Sequence, residues 1–343
     1  MNLTDRLAAL AELGSRYLAF SPDDWARLAD RAIAENAWFA EPDLRQAVQA
    51  VATQYLAPDR LAQWLKHYPA AADPSRPAKT IGVVLAGNIP LVGFHDILCI
   101  FVAGHRAQIK LSARDSVLIR HALSELRDIA PETADYFLTS ERLQHFDAII
   151  ATGSNNSSRY FDYYFGKYPH IIRRNRSSIA VLSGNETDND LLHLGSDVFS
   201  YCGLGCRNVS KLFVPTNYDF SRLLHIWEHH YADMMLREKY KANYDYQRAL
   251  LLLNREPHTA SDFVMLRSYS EAVASPVSVL FYEQYTDTNT LHQRIGDLSE
   301  QIQCIVGNPT HYATAIPFGA AQTPQLNDYA DGIDTMNFLL HKL

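Results

Sequence analysis

The sequence predicts an α/β protein with a helical N-terminal region followed by two doubly wound α/β domains. Two observations support this prediction. From Lys79 onward, short apolar runs alternate with segments of helical periodicity, whereas the preceding part reads as helices only. The apolar runs lack the polar alternation of a half-exposed strand, and strands of this kind are typical of parallel sheets covered on both faces by helices.

The helical region covers residues 1–75. Ser21 and Pro22, followed by two acidic residues, form a typical helix start, with a capping hydroxyl and proline in the first turn. A second helix start carries Pro58, and residues 69–77, rich in alanine and proline, predict a linker.

The first α/β domain is predicted over residues 76–184 and the second over residues 185–309. Predicted strands of the first domain cover residues 80–85, 107–111, 146–151 and 178–182, with helices over 91–102, 116–128 and 155–166. Predicted strands of the second domain cover residues 211–214, 248–253, 276–281 and 303–306.

Composition and charge exclude several classes of protein. The chain has 343 residues, 47% of them apolar, and a net charge of −7, so no domain-wide basic surface is available for nucleic acid. The longest apolar stretch, residues 97–103, is far short of a membrane span, and the first residues lack an apolar signal core. We therefore expect a cytoplasmic protein in a reducing compartment.

Three polar turns follow predicted strands of the first domain. They contain Gly87 and Asn88, then residues 112–114, and then residues 152–155. Because ligands of parallel sheets bind at the carboxyl ends of the strands, these turns predict a ligand site there.

A glycine-rich loop, Gly203-Leu-Gly-Cys206, presents a cysteine just before an apolar run. Glycines allow close backbone approach and positive φ, and main-chain N–H groups around a thiol can stabilise an oxyanion. Cys206 is therefore the candidate nucleophile. We expect the other cysteines, Cys99, Cys202 and Cys304, to be packing residues, and their spacing offers no Cys-x-x-Cys motif for structural zinc.

In order and sequence, these turns resemble those of the aldehyde dehydrogenase superfamily over residues 78–343. The segment 86–91, Ala-Gly-Asn-Ile-Pro-Leu, is similar to its Trp-Asn-Phe-Pro-Leu turn, which implies that Asn88 supports an oxyanion. The loop that ends at Cys206 is similar to the superfamily's Gly-Gln-x-Cys nucleophile loop. The resemblance also implies that residues 310–343 return to the first domain and that the protein forms a homodimer.

The resemblance implies a nicotinamide cofactor as well. Residues 103–112 are similar to an Ala-Gly-Asn-x-x-x-x-Lys-Pro-Ser stretch, which assigns Lys110 and Ser112 to the cofactor, and residues 152–154 are similar to the Thr-Gly-Ser that covers it. The cofactor-binding residues implied by this last match are Thr152, Gly153 and Ser154. NAD-preferring members have a glutamate three residues after the lysine. Here Ala113 and then Arg114 follow, so we expect NADPH, with Lys110 and Arg114 reading its 2′-phosphate.

Residues 89–96 are most similar to the corresponding segment of acyl-CoA reductases of the LuxC (fatty acid reductase) type. The short length of the chain also resembles this group. The dehydrogenase motif Glu-Leu-Gly-Gly-Lys, whose glutamate activates water, is replaced by residues 171–177, which contain no carboxylate. This predicts reduction of an acyl-CoA or acyl-carrier thioester to an aldehyde through a Cys206 acyl-enzyme, without a metal.

Two alternatives remain open: a non-redox acyltransferase or thioesterase that uses the same cysteine, and a binding protein that has lost its chemistry. The roles of His95, Glu271 and the arginines within residues 173–176 also stay open, with phosphate binding one option for the arginines.

Overall fold

The chain divides into two units, Met1–Asn175 with Pro324–Leu343 and Arg176–Thr323. The structure, a computed structural model, describes residues 1–153 and 155–343, with the side chains of residues 155–158 outside that description. Ser154, one of the predicted cofactor residues, therefore lies outside the described residues.

The first unit contains a five-stranded sheet and eight of the α-helices that are described. Its strands are β1 (Thr80–Val84), β2 (Arg106–Lys110), β3 (Phe137–Thr139), β4 (Ala148–Thr152) and β5 (His170–Arg173). Its helices are α1 (Leu3–Leu18), α2 (Pro22–Glu35), α3 (Glu41–Ala50), α4 (Pro58–Leu65), α5 (Phe94–Val102), α6 (Val117–Ile129), α7 (Asn155–Phe165) and α12 (Thr335–His341).

The first sheet is parallel, with strand order β3-β2-β1-β4-β5. The chain runs outward from β1 to β3 on one side and from β4 to β5 on the other. The strand order therefore reverses between β1 and β4, and ligands of such sheets bind in the crevice at the carboxyl ends beside this reversal.

The N-terminal helices share one apolar core with this sheet. Leu10 of α1 and Leu44 of α3 are buried in the same cluster as Ile81 and Val83 of β1. Helix α5 is apolar almost throughout, and most of its residues are buried. The N-terminal region is thus an integral part of the first unit.

The second unit contains a six-stranded sheet with the order β11-β6-β7-β10-β9-β8. Its pairs are parallel except for the antiparallel pair of β8 and β9. Its strands are β6 (Ser177–Val181), β7 (Val209–Pro215), β8 (Thr259–Ala260), β9 (Met265–Ser268), β10 (Val279–Tyr285) and β11 (Ile302–Gly307), and its α-helices are α8 (Asp188–Phe199), α9 (Ser221–Tyr231), α10 (Glu238–Leu253) and α11 (Thr288–Asp297).

Two predicted strands differ from the structure. The strand over residues 178–182, predicted for the first domain, is β6 and pairs with β7 and β11 in the second sheet. An apolar run does not specify which strands it pairs with. The prediction of a strand over residues 248–253 is wrong, because these residues form the C-terminal part of α10. A short apolar run has no periodicity that separates a strand from a helix, and leucine is a strong helix former.

The C-terminal segment is shared between the units. Residues 324–343 belong to the first unit, and Met336 and Leu339 of α12 are buried in its core. Residues 310–323 belong to the second unit, where Ile316 forms a parallel bridge with Val306 of β11.

Candidate active site

The turn after β1 carries Asn88 at the carboxyl end of the central strand. Asn88 is half-buried, and Gly87 beside it is buried against the turn that follows β2. A Cβ on Gly87 would lie 2.3 Å from the Oγ of Ser112, so only glycine fits here. The turns after β1 and β2 are thus packed directly against each other.

The predicted cofactor residues after β2 lie at this same edge. Lys110 ends β2 with an exposed side chain, and its carbonyl accepts a hydrogen bond from the N–H of Leu85 at 3.1 Å. The Oγ of Ser112 accepts a hydrogen bond from the N–H of Arg114 at 3.2 Å, which fixes the turn. The side chain of Arg114 is exposed, so two cations stand at the carboxyl end of β2.

Thr152 and Gly153 lie at the carboxyl end of β4, on the other side of the strand reversal. Both are partly exposed, and α7 begins two residues later at Asn155. The first turn of a helix leaves backbone N–H groups without intrahelical partners, and its dipole favours negative charge. A helix N-terminus at a strand reversal suits a phosphate-bearing ligand.

His95 is a packing residue in the structure. Its ring lies 4.9 Å from that of Tyr55 and 5.4 Å from that of Tyr329, and its Nε2 lies 3.0 Å from the carbonyl oxygen of Leu326. Burial lowers the pKa of His95, which favours the neutral ring. This environment explains the histidine without a catalytic role.

The arginines within residues 173–176 do not form one basic surface. Arg173 is buried and forms a two-point ion pair with Asp96, in which Nη2 lies 2.7 Å from Oδ1. Arg174 is exposed and lies 3.5 Å from Asp162. Arg176 donates a hydrogen bond to the carbonyl of Ile302 at 3.2 Å. The sequence left open whether these arginines bind phosphate. The structure does not support this role for Arg173.

In the second unit, the loop before β7 has an unusual backbone. Tyr201, Cys202 and Gly203 have consecutive positive φ values of 54°, 56° and 74°. Non-glycine residues in this conformation cost on the order of 1 kcal/mol or more each and persist only where the surroundings hold them. Strain of this kind is found at functional sites, which makes the loop a candidate for function.

Asn208 holds this loop from within. It is 1% exposed, and its Oδ1 accepts a hydrogen bond from the N–H of Gly205 at 2.8 Å. Its Nδ2 donates to the carbonyls of Ser200 at 2.9 Å and Asp197 at 3.1 Å. One side chain therefore ties the end of α8 to the residue before Cys206.

Cys206 is half-buried, whereas Cys202 is only 2% exposed. The carbonyl of Cys206 accepts a hydrogen bond from the hydroxyl of Ser178 at 3.0 Å, and this hydroxyl also contacts the sulfur of Cys304 at 3.0 Å. Cys304 is itself half-buried in β11, so it is more exposed than the packing residue expected there. The sulfur of Cys202 accepts a hydrogen bond from Arg237 at 3.5 Å.

Asp197 and Arg207 connect the loop to the segment around Gly319. The buried carboxylate of Asp197 accepts hydrogen bonds from the N–H groups of Gly319 at 2.6 Å and Ala321 at 3.0 Å. Arg207 donates to the carbonyl of Ala321 at 2.5 Å. Burial raises the pKa of Asp197 to about 6, although the hydrogen bonds from Gly319 and Ala321 and the nearby Arg207 oppose that shift.

A buried lysine stabilises the segment before β10. Lys211 is fully buried, its Nζ lies 2.6 Å from the carboxylate of Glu283, and it donates to the carbonyl of Ala272 at 3.3 Å. Arg294 also binds Glu283, at 2.8 Å. Glu271, whose role the sequence left open, is exposed and accepts a hydrogen bond from Tyr269 at 3.4 Å.

The supporting residues were missed by the sequence analysis. They are buried polar side chains that hold turns: Asn36, Asp115, Asp197, Asn208 and Lys211. Two of them could have been recognised from their positions in the sequence. Asn208 lies just after the Cys206 loop, and Asp115 follows the predicted cofactor turn. Asn36 lies far away in sequence, so only the fold reveals its contact.

The described residues contain no group of three or more His, Cys, Asp or Glu side chains that could hold a metal ion. Among the helices formed by these residues, none is long and apolar enough to cross a membrane.

No protein-family model matches the sequence, and the comparison with curated proteins gives no match. The fold is similar to that of solved aldehyde dehydrogenases. Aldehyde dehydrogenase 21 from Physcomitrella patens, in complex with the reaction product succinate, matches with a TM-score of 0.69 and 12% identity over 99% of this chain and 84% of that chain.

Two NAD⁺ complexes of aldehyde dehydrogenases are also similar. The enzyme from Bacillus cereus matches with a TM-score of 0.65 and 12% identity, over 90% of this chain and 72% of that one. The enzyme from Mycobacterium tuberculosis matches with a TM-score of 0.62 and 13% identity, over 90% of this chain and 77% of that one. These likenesses confirm the predicted aldehyde-dehydrogenase-like α/β fold.

Proposed function

We propose that this protein reduces an acyl thioester, carried by CoA or by a carrier protein, to the aldehyde with NADPH, through an acyl-enzyme on Cys206. The observation that carries the proposal is the Cys206 loop, where a half-buried thiol follows a backbone fixed by Asn208. The similarity to aldehyde dehydrogenases solved with NAD⁺ supports an oxidoreductase that acts at the aldehyde level.

The first unit suits a nicotinamide dinucleotide. The strand reversal between β1 and β4, the exposed Lys110 and Arg114, and the N-terminus of α7 are features that bind such ligands. We assign the 2′-phosphate to Lys110 and Arg114. The remaining contacts are assigned to Ser112, Thr152, Gly153 and Ser154. When bound, the cofactor supplies the hydride.

Cys206 acts first in the proposed reaction. A thiol attacks as thiolate, so its proton leaves before or during attack on the thioester carbonyl. The carbon–sulfur bond to Cys206 forms as the bond to the carrier sulfur breaks, and the leaving thiolate takes up a proton. Because one thioester replaces another, this transfer is nearly thermoneutral.

The proposed donors to the oxyanion are the side-chain amide of Asn88 and the N–H of Cys206. Loss of one such donor typically costs about 3 kcal/mol of transition-state stabilisation. Hydride addition to the Cys206 thioester then gives a thiohemiacetal, which collapses to the aldehyde and returns the thiolate.

The segment between β5 and β6 supports reduction over hydrolysis. It contains no carboxylate to activate water. In the first unit, Asp96 is committed to its ion pair with Arg173. Because this segment supplies no general base for water, we expect the acyl-enzyme to keep its thioester for hydride transfer.

Turnover of pure protein tests the proposal. Protein is mixed with NADPH and acyl-CoAs from short to long chains, and cofactor oxidation, free CoA and aldehyde are measured together. Equal amounts of oxidised cofactor and aldehyde are expected for at least one chain length. Free CoA without oxidation would identify an acyltransferase or thioesterase, and no reaction at any length would indicate a binding protein.

A further inference from the structure

Two buried side chains hold the turn that carries Asn88, one at each end. The Nδ2 of Asn36 donates a hydrogen bond to the carbonyl of Gly87 at 3.2 Å. The Oδ2 of Asp115 accepts a hydrogen bond from the N–H of Leu91 at 2.8 Å. Asn36 is 5% exposed and Asp115 is 2% exposed, so water does not compete for these bonds.

The turn needs this support because its backbone is strained. Leu91 has a φ of 56°, which a leucine rarely adopts, and the cost is on the order of 1 kcal/mol or more. Gly87 at the other end is packed against Ser112 without room for a Cβ. Without both hydrogen bonds, the backbone between Gly87 and Leu91 would relax and Asn88 would move with it.

The two supports are themselves anchored to the end of α2. The Oδ1 of Asn36 accepts a hydrogen bond from the N–H of Trp38 at 3.1 Å, which sets the direction of its amide. Glu35 accepts hydrogen bonds at the N-terminus of α6 from the N–H groups of Ser116 at 2.7 Å and Val117 at 3.1 Å. The N-terminal region thus reaches the turns after both β1 and β2.

The carboxyl group of Asp115 is also poised to titrate. Its Oδ1 is buried and has no hydrogen-bond partner among the described residues. Burial raises the pKa of Asp115 to about 7; the hydrogen bond from Leu91 opposes this shift, and Glu35 at the end of α2 adds to it. Tyr17 of α1 also interacts with it electrostatically.

We propose that Asn36 and Asp115 are positioning residues, which act on the reaction by holding Asn88 in place. The inference rests on the proposed function, because it assumes that Asn88 stabilises the oxyanion. It gives the N-terminal helical region a role in the reaction, although none of its residues is assigned to substrate or cofactor.

A double-mutant cycle tests whether Asn36 acts through Asn88. We expect Asn36→Ala to lower kcat about tenfold to a hundredfold, the range for a displaced catalytic group, with little change in KM for the acyl-CoA. In the Asn88→Ala background the same substitution should change kcat less than twofold. If the two substitutions lower kcat independently, so that their effects multiply in the double variant, the inference is overturned. Asp30→Ala, an exposed change on α2, is the matched control.

Two substitutions of Asp115 separate the loss of its hydrogen-bond acceptor from the loss of its charge. Asp115→Asn keeps an oxygen for the N–H of Leu91 but cannot titrate, whereas Asp115→Ala removes the acceptor. We expect Asp115→Asn to retain most of kcat and Asp115→Ala to lower kcat at least tenfold. Equal losses of kcat in both variants would contradict the role assigned to Asp115.

Hydrogen exchange tests whether Asn36 and Asp115 support the turn of Asn88, without a measurement of enzyme activity. We expect Asn36→Ala and Asp115→Ala each to accelerate exchange at least tenfold in a peptide over residues 85–93, with β4 unchanged. If the wild type shows no turnover but exchange responds in this way, the proposed function fails and the support of the turn stands. If turnover is normal and exchange does not respond, the inference fails alone.

Discussion

Arg173 and Asp96 form a buried ion pair that joins β5 to α5 in the first unit. The Nη2 of Arg173 lies 2.7 Å from the Oδ1 of Asp96 and 3.0 Å from the hydroxyl of Thr335 in α12. Three segments distant in sequence therefore meet at one guanidinium, which identifies Arg173 as a structural residue.

The first prediction follows from this pair. Arg173→Met should lower the free energy of unfolding by about 3–5 kcal/mol, because it leaves the carboxylate of Asp96 buried without its partner. Denaturant unfolding measures the loss. The affinity of the folded fraction for NADPH should be unchanged, and the exposed Arg174→Met should change stability by less than about 0.5 kcal/mol. An intact stability with weakened cofactor binding would return Arg173 to a phosphate-binding role.

The second prediction concerns Asp197 and pH. Its pKa is raised by burial from 3.8 to about 6, so the folded state binds its proton more tightly than the unfolded state does. The stability from this group is therefore present below about pH 4 and is lost as pH rises through about 6, a change of about 3 kcal/mol.

Asp197→Asn cannot titrate and should lack this component. The measurement is the free energy of unfolding of both proteins from pH 4 to 7. The wild type should lose about 2 kcal/mol relative to the variant over this interval, because part of the full change lies below pH 4. Parallel curves would show that Asp197 does not titrate in this range, whatever the absolute cost of the substitution.

The third prediction concerns cofactor choice. Arg114 and Lys110 are exposed at the carboxyl end of β2, and Ala113, three residues after Lys110, offers no carboxylate that would repel a 2′-phosphate. We expect NADPH to bind at least tenfold more tightly than NADH. Arg114→Ala should weaken NADPH about tenfold, or about 1.4 kcal/mol, and leave NADH unchanged.

Titration of both cofactors into the protein decides the matter. Arg120→Ala, an exposed arginine on α6 outside the turn, is the matched control. Equal affinities of the wild type for the two cofactors, or an equal loss of both in Arg114→Ala, would show that Arg114 does not read the phosphate.

The sequence predicted the fold class because periodicity and turn residues are local signals. The strands that end at the turns of Asn88, Lys110 and Thr152 were found within one or two residues. Pairing is not local, so the apolar run that forms β6 was assigned to the wrong sheet. The leucines at the end of α10 were predicted as a strand because they form a run without periodicity.

The candidate site was predictable in part for the same reason. Asn88 and Cys206 were predicted from turns that contain glycine, because backbone conformation restricts which residues fit there, and their roles stay predictions. The side chains that hold these turns, such as Asn36 and Asp197, come from other elements. Their contacts depend on how these elements pack, which cannot be predicted from local patterns in a single sequence.

Covalent capture on Cys206 tests the central claim most directly. Protein is incubated with a fatty acyl-CoA without cofactor, and intact mass and peptide mapping locate any acyl group. We expect one acyl group per chain on Cys206, none in Cys206→Ala, normal labelling in Cys202→Ala, and release of the group as aldehyde when NADPH is added. An acyl group on Cys202, or turnover that persists in Cys206→Ala, would contradict the assignment of Cys206 as the nucleophile.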